Sequence, residues 1–241
     1  LHDIPPGGMR VAPEGEHHGH AQYRLTIETR YYGGFDLALK INRSLPADVL
    51  AEDVLWLIAA GEPGPGGRLL PEFGGHWSEH GVWTEEHVVG RTAGRLADRF
   101  AEQDRAQGTT RLTDLWSFVL WTAAAAYVEF WNRTGRRLIV ANPGPEGVVV
   151  PTHDYQIGPR LISVTPRAPY TGPAQLLASL DESLVAPLVR KHPVLASEPS
   201  LRFIGSALLE VVGVEEGLRL VEEAAAADEG RRAELTRFAA G

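Results

Sequence analysis

Residues 74 to 81 read GGHWSEHG, and His76, Glu79 and His80 within them follow the H-x-x-E-H spacing of inverted zinc proteases. There two imidazoles hold the metal and the carboxylate activates a water. Two ligands four apart share a face only on a helix, whereas Gly74, Gly75 and Gly81 bracket this motif, so a turn is expected and metal binding is the minor reading. His17, His18 and His20 in HHGH would have to fold back to complete such a site. A second chemistry is anion binding. Arg91, Arg95 and Arg99 recur every four residues, which on a helix stacks three guanidinium groups that suit a phosphate or carboxylate. The bland alternative is a solvated face with Asp98 and Glu102 as partners. A third constellation is THDYQIGPR at 152–160. It places His153, Asp154, Tyr155 and Arg160 after a β run, where loops project side chains into pockets. An acid, a potential base and a cation suit a polar ligand, and a turn capped by Asp154 is the structural alternative.

These residues must be positioned by an α+β chain, predominantly helical. Residues 1–20 mix Pro, Gly and His without period and read as a loose arm. Alternation from Tyr23 to Ile27 and from Phe35 to Ile41 across YYGG predicts a β-hairpin. A helix then opens at Ser44 and Pro46, with Val49, Leu50, Val54, Leu57 and Ile58 on one stripe before Gly61. Thr84, followed by Glu85 and Glu86, predicts a helix start, with the helix running to about Gln107. GTT at 108–110 separates it from a long buried helix over about 112–133, which stops at Gly135. Three β runs in RRLIVANPGPEGVVVP and RLISVTP predict one small antiparallel sheet, and Thr171 and Pro173 open a helix to about Lys191. Residues 197–240 read as two or three further helices broken near Gly213 and Gly230. Helices following strands, rather than alternating with them, argue α+β. The expected divisions are an arm (1–20), an α+β region (21–107) and a mainly helical region with the small sheet (108–241).

With 241 residues and 44% apolar content the chain can bury a substantial core. A net charge of −8 removes any broad electrostatic footprint for nucleic acid. The absence of cysteine excludes disulfides, thiolate zinc sites and a cysteine-held iron–sulfur cluster within these residues. No secretory signal pattern is visible and the apolar run 115–131 is read as a core helix rather than a membrane span, so a cytoplasmic location is expected. The first residue is Leu rather than Met, so the natural N-terminus is expected to lie elsewhere.

LTDLWSFVLWTAAAAYVEFWNRTGRRL, followed by LLASLDESLVAPLV and SLRFIGSALLEVV, resembles the central and late helices of the ferric-siderophore reductase (FhuF-like) family. The HDYQIGPR segment is similar to an Asp–aromatic strand pair in the C-terminal domain of aerobactin-type siderophore synthetases. The resemblance covers residues 112–212. It implies an iron or siderophore-handling protein whose ferric-chelate or polycarboxylate ligand meets His153, Asp154, Tyr155, Arg160 and the arginines Arg91 and Arg95. The reductases' cysteine-rich [2Fe–2S] segment has no counterpart within these residues, so the resemblance implies either a sequence that stops short of that segment or a protein that binds its ligand without reducing it. An ATP-dependent synthetase-type ligase and a zinc hydrolase at His76, Glu79 and His80 are the alternatives, and a non-catalytic interaction protein is the last.

Overall fold

The computed structural model describes residues 4–17, 20–31, 33–42, 46–49, 51, 54–55, 58, 68–109, 111–150, 158–164, 167–193 and 200–227. It divides into two compact units, residues 1–89 and 90–241. The boundary that the sequence suggested after residue 107 falls inside the second unit, between two helices.

The first unit is built on a five-stranded antiparallel sheet of β1 (Met9–His17), β2 (His20–Thr29), β3 (Gly33–Ile41), β4 (Phe73–Trp77) and β5 (Val82–Glu86), in the order β1-β2-β3-β5-β4. The expected hairpin is present as β2 and β3, and Gly33 takes the left-handed conformation (φ +75°) that its turn requires. The expected loose arm is corrected: residues 9–17 form edge strand β1, paired with β2 from Met9↔Ile27 to His17↔His20. Pro13 and Gly15 hid it, because they sit at a β-bulge that interrupts the alternation. Residues 47–49, 51, 54, 55 and 58 are helical, as expected. Val54 of the expected stripe is buried while Val49 and Ile58 are exposed, and Ser44, Leu50, Leu57 and Gly61 lie outside the described residues.

In the second unit, β6 (Arg91–Thr92) leads into α1 (Ala93–Gln107) and α2 (Arg111–Arg133). The helix start expected at Thr84 is corrected. Thr84 is buried in β5, and its strand pairing with β3 overrides the favourable charge of Glu85 and Glu86 for a helix N-terminus. The cap is Thr92, whose Oγ accepts from the Arg95 amide at 3.3 Å. Ala93, Leu96 and Ala97 give α1 its buried stripe, and Gly108 (φ +63°) ends it as a left-handed cap. The expected long helix is α2. Leu120, Ala123, Ala124, Tyr127, Phe130 and Trp131 are buried along it. Its end is closed by Gly135 and Arg136, both at positive φ, with the Arg136 amide donating to the Trp131 carbonyl at 3.0 Å and its guanidinium 5.2 Å above the Trp131 ring.

The single small sheet expected after α2 is two sheets. β7 (Leu138–Val140) pairs with β10 (Arg167–Pro169), whereas β8 (Val148–Val150) lies between β6 and β9 (Arg160–Leu161). The Pro/Gly segment between β7 and β8 therefore redirects the chain instead of making a hairpin. α3 (Pro173–Leu180) continues through a π-helical turn (Asp181–Val185) into α4 (Ala186–Lys191), matching the expected helix end. α5 (Ser200–Val212) and α6 (Val214–Ala227) follow, broken at Gly213 as expected, and the break expected near Gly230 lies outside the described residues. The α+β class stands, with about 50% helix and 28% strand among the described residues; the strand share makes "predominantly helical" too strong. Among the described residues no helix is long and apolar enough to cross a membrane.

Candidate functional site

Side chains of directly paired residues in an antiparallel sheet share a face. The register therefore separates the first unit's sheet into two chemically distinct surfaces. One carries Arg10, Gln22, Arg24, Thr26, Glu28, Asp36, Lys40, Trp83 and Glu85. Its charges are matched: Arg10 with Glu28, Arg24 with Asp36, and Lys40 with Glu85. Lys40 and Glu85 are both buried, and the Trp83 indole N–H donates to Glu85 at 3.4 Å. Thr26 donates to Asp36 at 2.6 Å. At the β1 bulge Glu14 accepts from Gln22 at 3.0 Å, and its Oε1 lies 2.8 Å from Nε2 of His87, which follows β5. Burial alone would raise the Glu14 pKa, but Gln22, His87 and Arg24 together hold it below the usual carboxylate value.

A carboxylate–imidazole pair is the arrangement acid–base chemistry uses. Here the other ring nitrogen, Nδ1 of His87, is buried without a hydrogen-bond partner among the described residues. The pair ties the β1 bulge to the end of β5. No local pattern could have revealed it, because the partners lie 73 positions apart. Lys40 did leave a signal, as a lone lysine in phase with the buried Ala38 in LALKI.

The opposite face is mainly apolar, with Glu86 beside Leu37 at its β5 side. Two cross-strand ladders, Met9–Ile27–Phe35 and Val11–Leu25–Leu37, lie side by side on it. Met9, Val11 and Phe35 are 50%, 57% and 48% exposed, and the other three are partly exposed. The Gly8 carbonyl accepts from the Glu28 amide, so even-numbered β1 positions point their backbone at β2 and Met9, Val11 and Pro13 point theirs outward. Pro13 has no N–H and is followed by the bulge, which blunts this edge against strand addition. What remains for recognition is the side-chain surface.

The sites expected from sequence are not brought together. His76 is exposed on β4, while Glu79 and His80 sit in the one-turn 3-10 helix after it, the glycine-bracketed turn expected. Among the described residues no group of three or more His, Cys, Asp or Glu could hold a metal, so the zinc hydrolase is set aside. The arginine stripe is also corrected, since Arg91 lies in β6 and only Arg95 and Arg99 share the exposed face of α1. Asp98 does not serve them: it pairs with Lys191 at 2.7 Å and His192 at 3.0 Å. Nor is the α1 N-terminus open to an anion, because the Glu146 carboxylate accepts from Thr92 there and packs against Gly94. Arg160 and Thr92 flank Val149 on one face of the β6-β8-β9 sheet, while Arg91 points to the other. His153, Asp154 and Tyr155 lie outside the described residues.

Asp36 and Glu216 link this geometry to pH. Arg24, then Thr26, pulls Asp36 from 3.8 to about 2, and Arg219 with Arg136 pulls Glu216 from 4.5 to about 2. A depressed carboxylate pKa stabilises the fold fully above its unfolded value, and that contribution is lost as pH falls through the folded value. Thermal melts should therefore hold above about pH 4.5 and decline from there toward pH 2. Asp36→Asn combined with Glu216→Gln should flatten that decline, and an unchanged slope would show the pairs to be too solvated to matter.

No family model matches the chain, and no curated protein matches it. Among solved structures the chain is similar to the kinase domain of PF14_0431, with 11% identity and a TM-score of 0.44, covering 73% of this chain and 60% of that one. A likeness of that size carries no argument about function. The resemblance to ferric-siderophore reductases and siderophore synthetases is corrected: no family model and no curated protein supports it. Siderophore handling and the ATP-dependent ligase alternative fall with it. The resemblance rested on long helices rich in small and apolar residues, a composition that packing alone explains.

Proposed function

We propose that this chain is a binding protein whose working surface is the apolar face of the N-terminal sheet. One observation carries the reading: two adjacent ladders of apolar side chains, with Met9, Val11 and Phe35 about half exposed, in a sheet whose other face is laced with matched charges. Scattered apolar residues on a surface are ordinary, but contiguous ones on a rigid sheet mark sites of association. Flanking strands fix the side chains in register, so the surface meets a partner with little further loss of freedom.

The test uses the fluorescent apolar dye ANS with the folded full chain. Native protein should enhance its emission in a saturable way, and Val11→Asp and Phe35→Asp should each remove most of the enhancement without lowering Tm by more than a few degrees. Dye emission no higher than with a well-packed control protein, or emission unaffected by both substitutions, would sink the proposal.

A further inference from the structure

Resting on the reading of that face as a binding surface, we propose that Met9 makes the surface sensitive to peroxide: oxidation of its thioether to the sulfoxide weakens binding there, and reduction restores it. Composition makes the position singular. Met9 is the one methionine and there is no cysteine, so its side chain holds the only sulfur in the 241 residues. Cysteine thiolates, the usual first targets of peroxide, do not compete with it. Placement makes it reachable. Met9 opens edge strand β1, is 50% exposed and lies directly opposite Ile27 in the Met9–Ile27–Phe35 ladder, two residues from Val11 in the neighbouring one.

In the reaction a sulfur lone pair attacks one oxygen of hydrogen peroxide. The O–O bond breaks as the S–O bond forms, sulfur gives up two electrons to the peroxide, and the proton on the transferred oxygen leaves with the departing hydroxide as water. An apolar side chain becomes a polar one. In a core that change is disruptive, but a half-exposed sulfoxide keeps its oxygen in water, so the strand pairing from Met9↔Ile27 to His17↔His20 stays in place. The cost falls on the complex instead. An apolar group covering Met9 must strip water from a strong acceptor to which the side chains of Val11, Ile27 and Phe35 offer no donor. The arginines of β1 and β2, Arg10 and Arg24, belong to the other face.

To test this, the folded full chain is treated with hydrogen peroxide, desalted and titrated with ANS, while intact mass and peptide mapping follow the oxygen gained. One oxygen atom at Met9, a Tm within a few degrees of the untreated protein and an ANS affinity lowered by about fivefold are expected, the last from losing roughly half of a methionine's transfer free energy. Methionine sulfoxide reductases of both epimer specificities should return mass and dye binding to their starting values. Met9→Leu keeps volume and apolarity without the reactive sulfur, so peroxide should leave its dye binding unchanged. Native protein that never enhances ANS emission overturns the binding surface and this inference with it. Where dye binding is present and responds to Val11→Asp and Phe35→Asp, the surface stands. The inference alone then falls on any of these results: no oxygen at Met9, oxygen at Met9 with dye affinity unchanged, a collapse of Tm on oxidation, or an equal peroxide effect in Met9→Leu.

Discussion

Lys40→Met is expected to destabilise the N-terminal unit by about 3–5 kcal/mol, because it leaves the Glu85 carboxylate buried without its counter-charge. Both residues are only 6% exposed, so water cannot take the place of the ammonium group. The Trp83 indole N–H would remain as a donor to Glu85, but one hydrogen bond of 3.4 Å does not replace an ion pair. The companion variant is the informative one. Lys40→Met combined with Glu85→Leu removes both charges and fills similar volume, and it should lie much closer to the wild type than Lys40→Met alone. Urea unfolding read through tryptophan fluorescence gives both numbers. A cost below about 1 kcal/mol for Lys40→Met would mean that the pair is as well solvated as a surface ion pair.

The second large effect is expected at Gly147, in the second unit. A Cβ there would collide with the Tyr127 hydroxyl and reach the Ser163 carbonyl at 3.4 Å. Tyr127 cannot retreat: its ring is buried in α2 and its hydroxyl donates to the Gly144 carbonyl at 2.8 Å. Burial also pushes its pKa above the usual phenol value, which favours the neutral, donating form. Gly147→Ala should cost about 1–3 kcal/mol in overpacking. It should cost about 1–3 kcal/mol more if the hydroxyl is driven off its acceptor. In a Tyr127→Phe background the obstructing oxygen is gone, so the same substitution should cost distinctly less. Calorimetry of the four proteins decides the matter, and strictly additive costs would show that the clash is relieved by backbone movement instead.

Much of the second unit was legible because its signals are local. The length of α2, its stop at Gly135, the end of α1 at Gly108, the opening of α3 at Pro173 and the break at Gly213 each depend on residues within a turn or two of the feature they set. The absence of thiols was likewise a property of the sequence alone, and it bounds the chemistry whatever the fold. Strand signals are less local. A proline, a bulge and a glycine break the alternation of β1, and the favourable helix start at Thr84 loses to pairing with β3.

The candidate site belongs to the tertiary structure. Nothing near Lys40 says that Glu85 will neutralise it, and nothing near Glu14 points to His87. Arg91, Arg95 and Arg160 looked convergent as residue types, and strand geometry turned Arg91 and Arg160 to opposite faces. Alternation in the sequence determined that β2 and β3 would each have an apolar side. Only the register, which depends on contacts between distant segments, decided that Met9 and Val11 join that side and that it stays open to solvent.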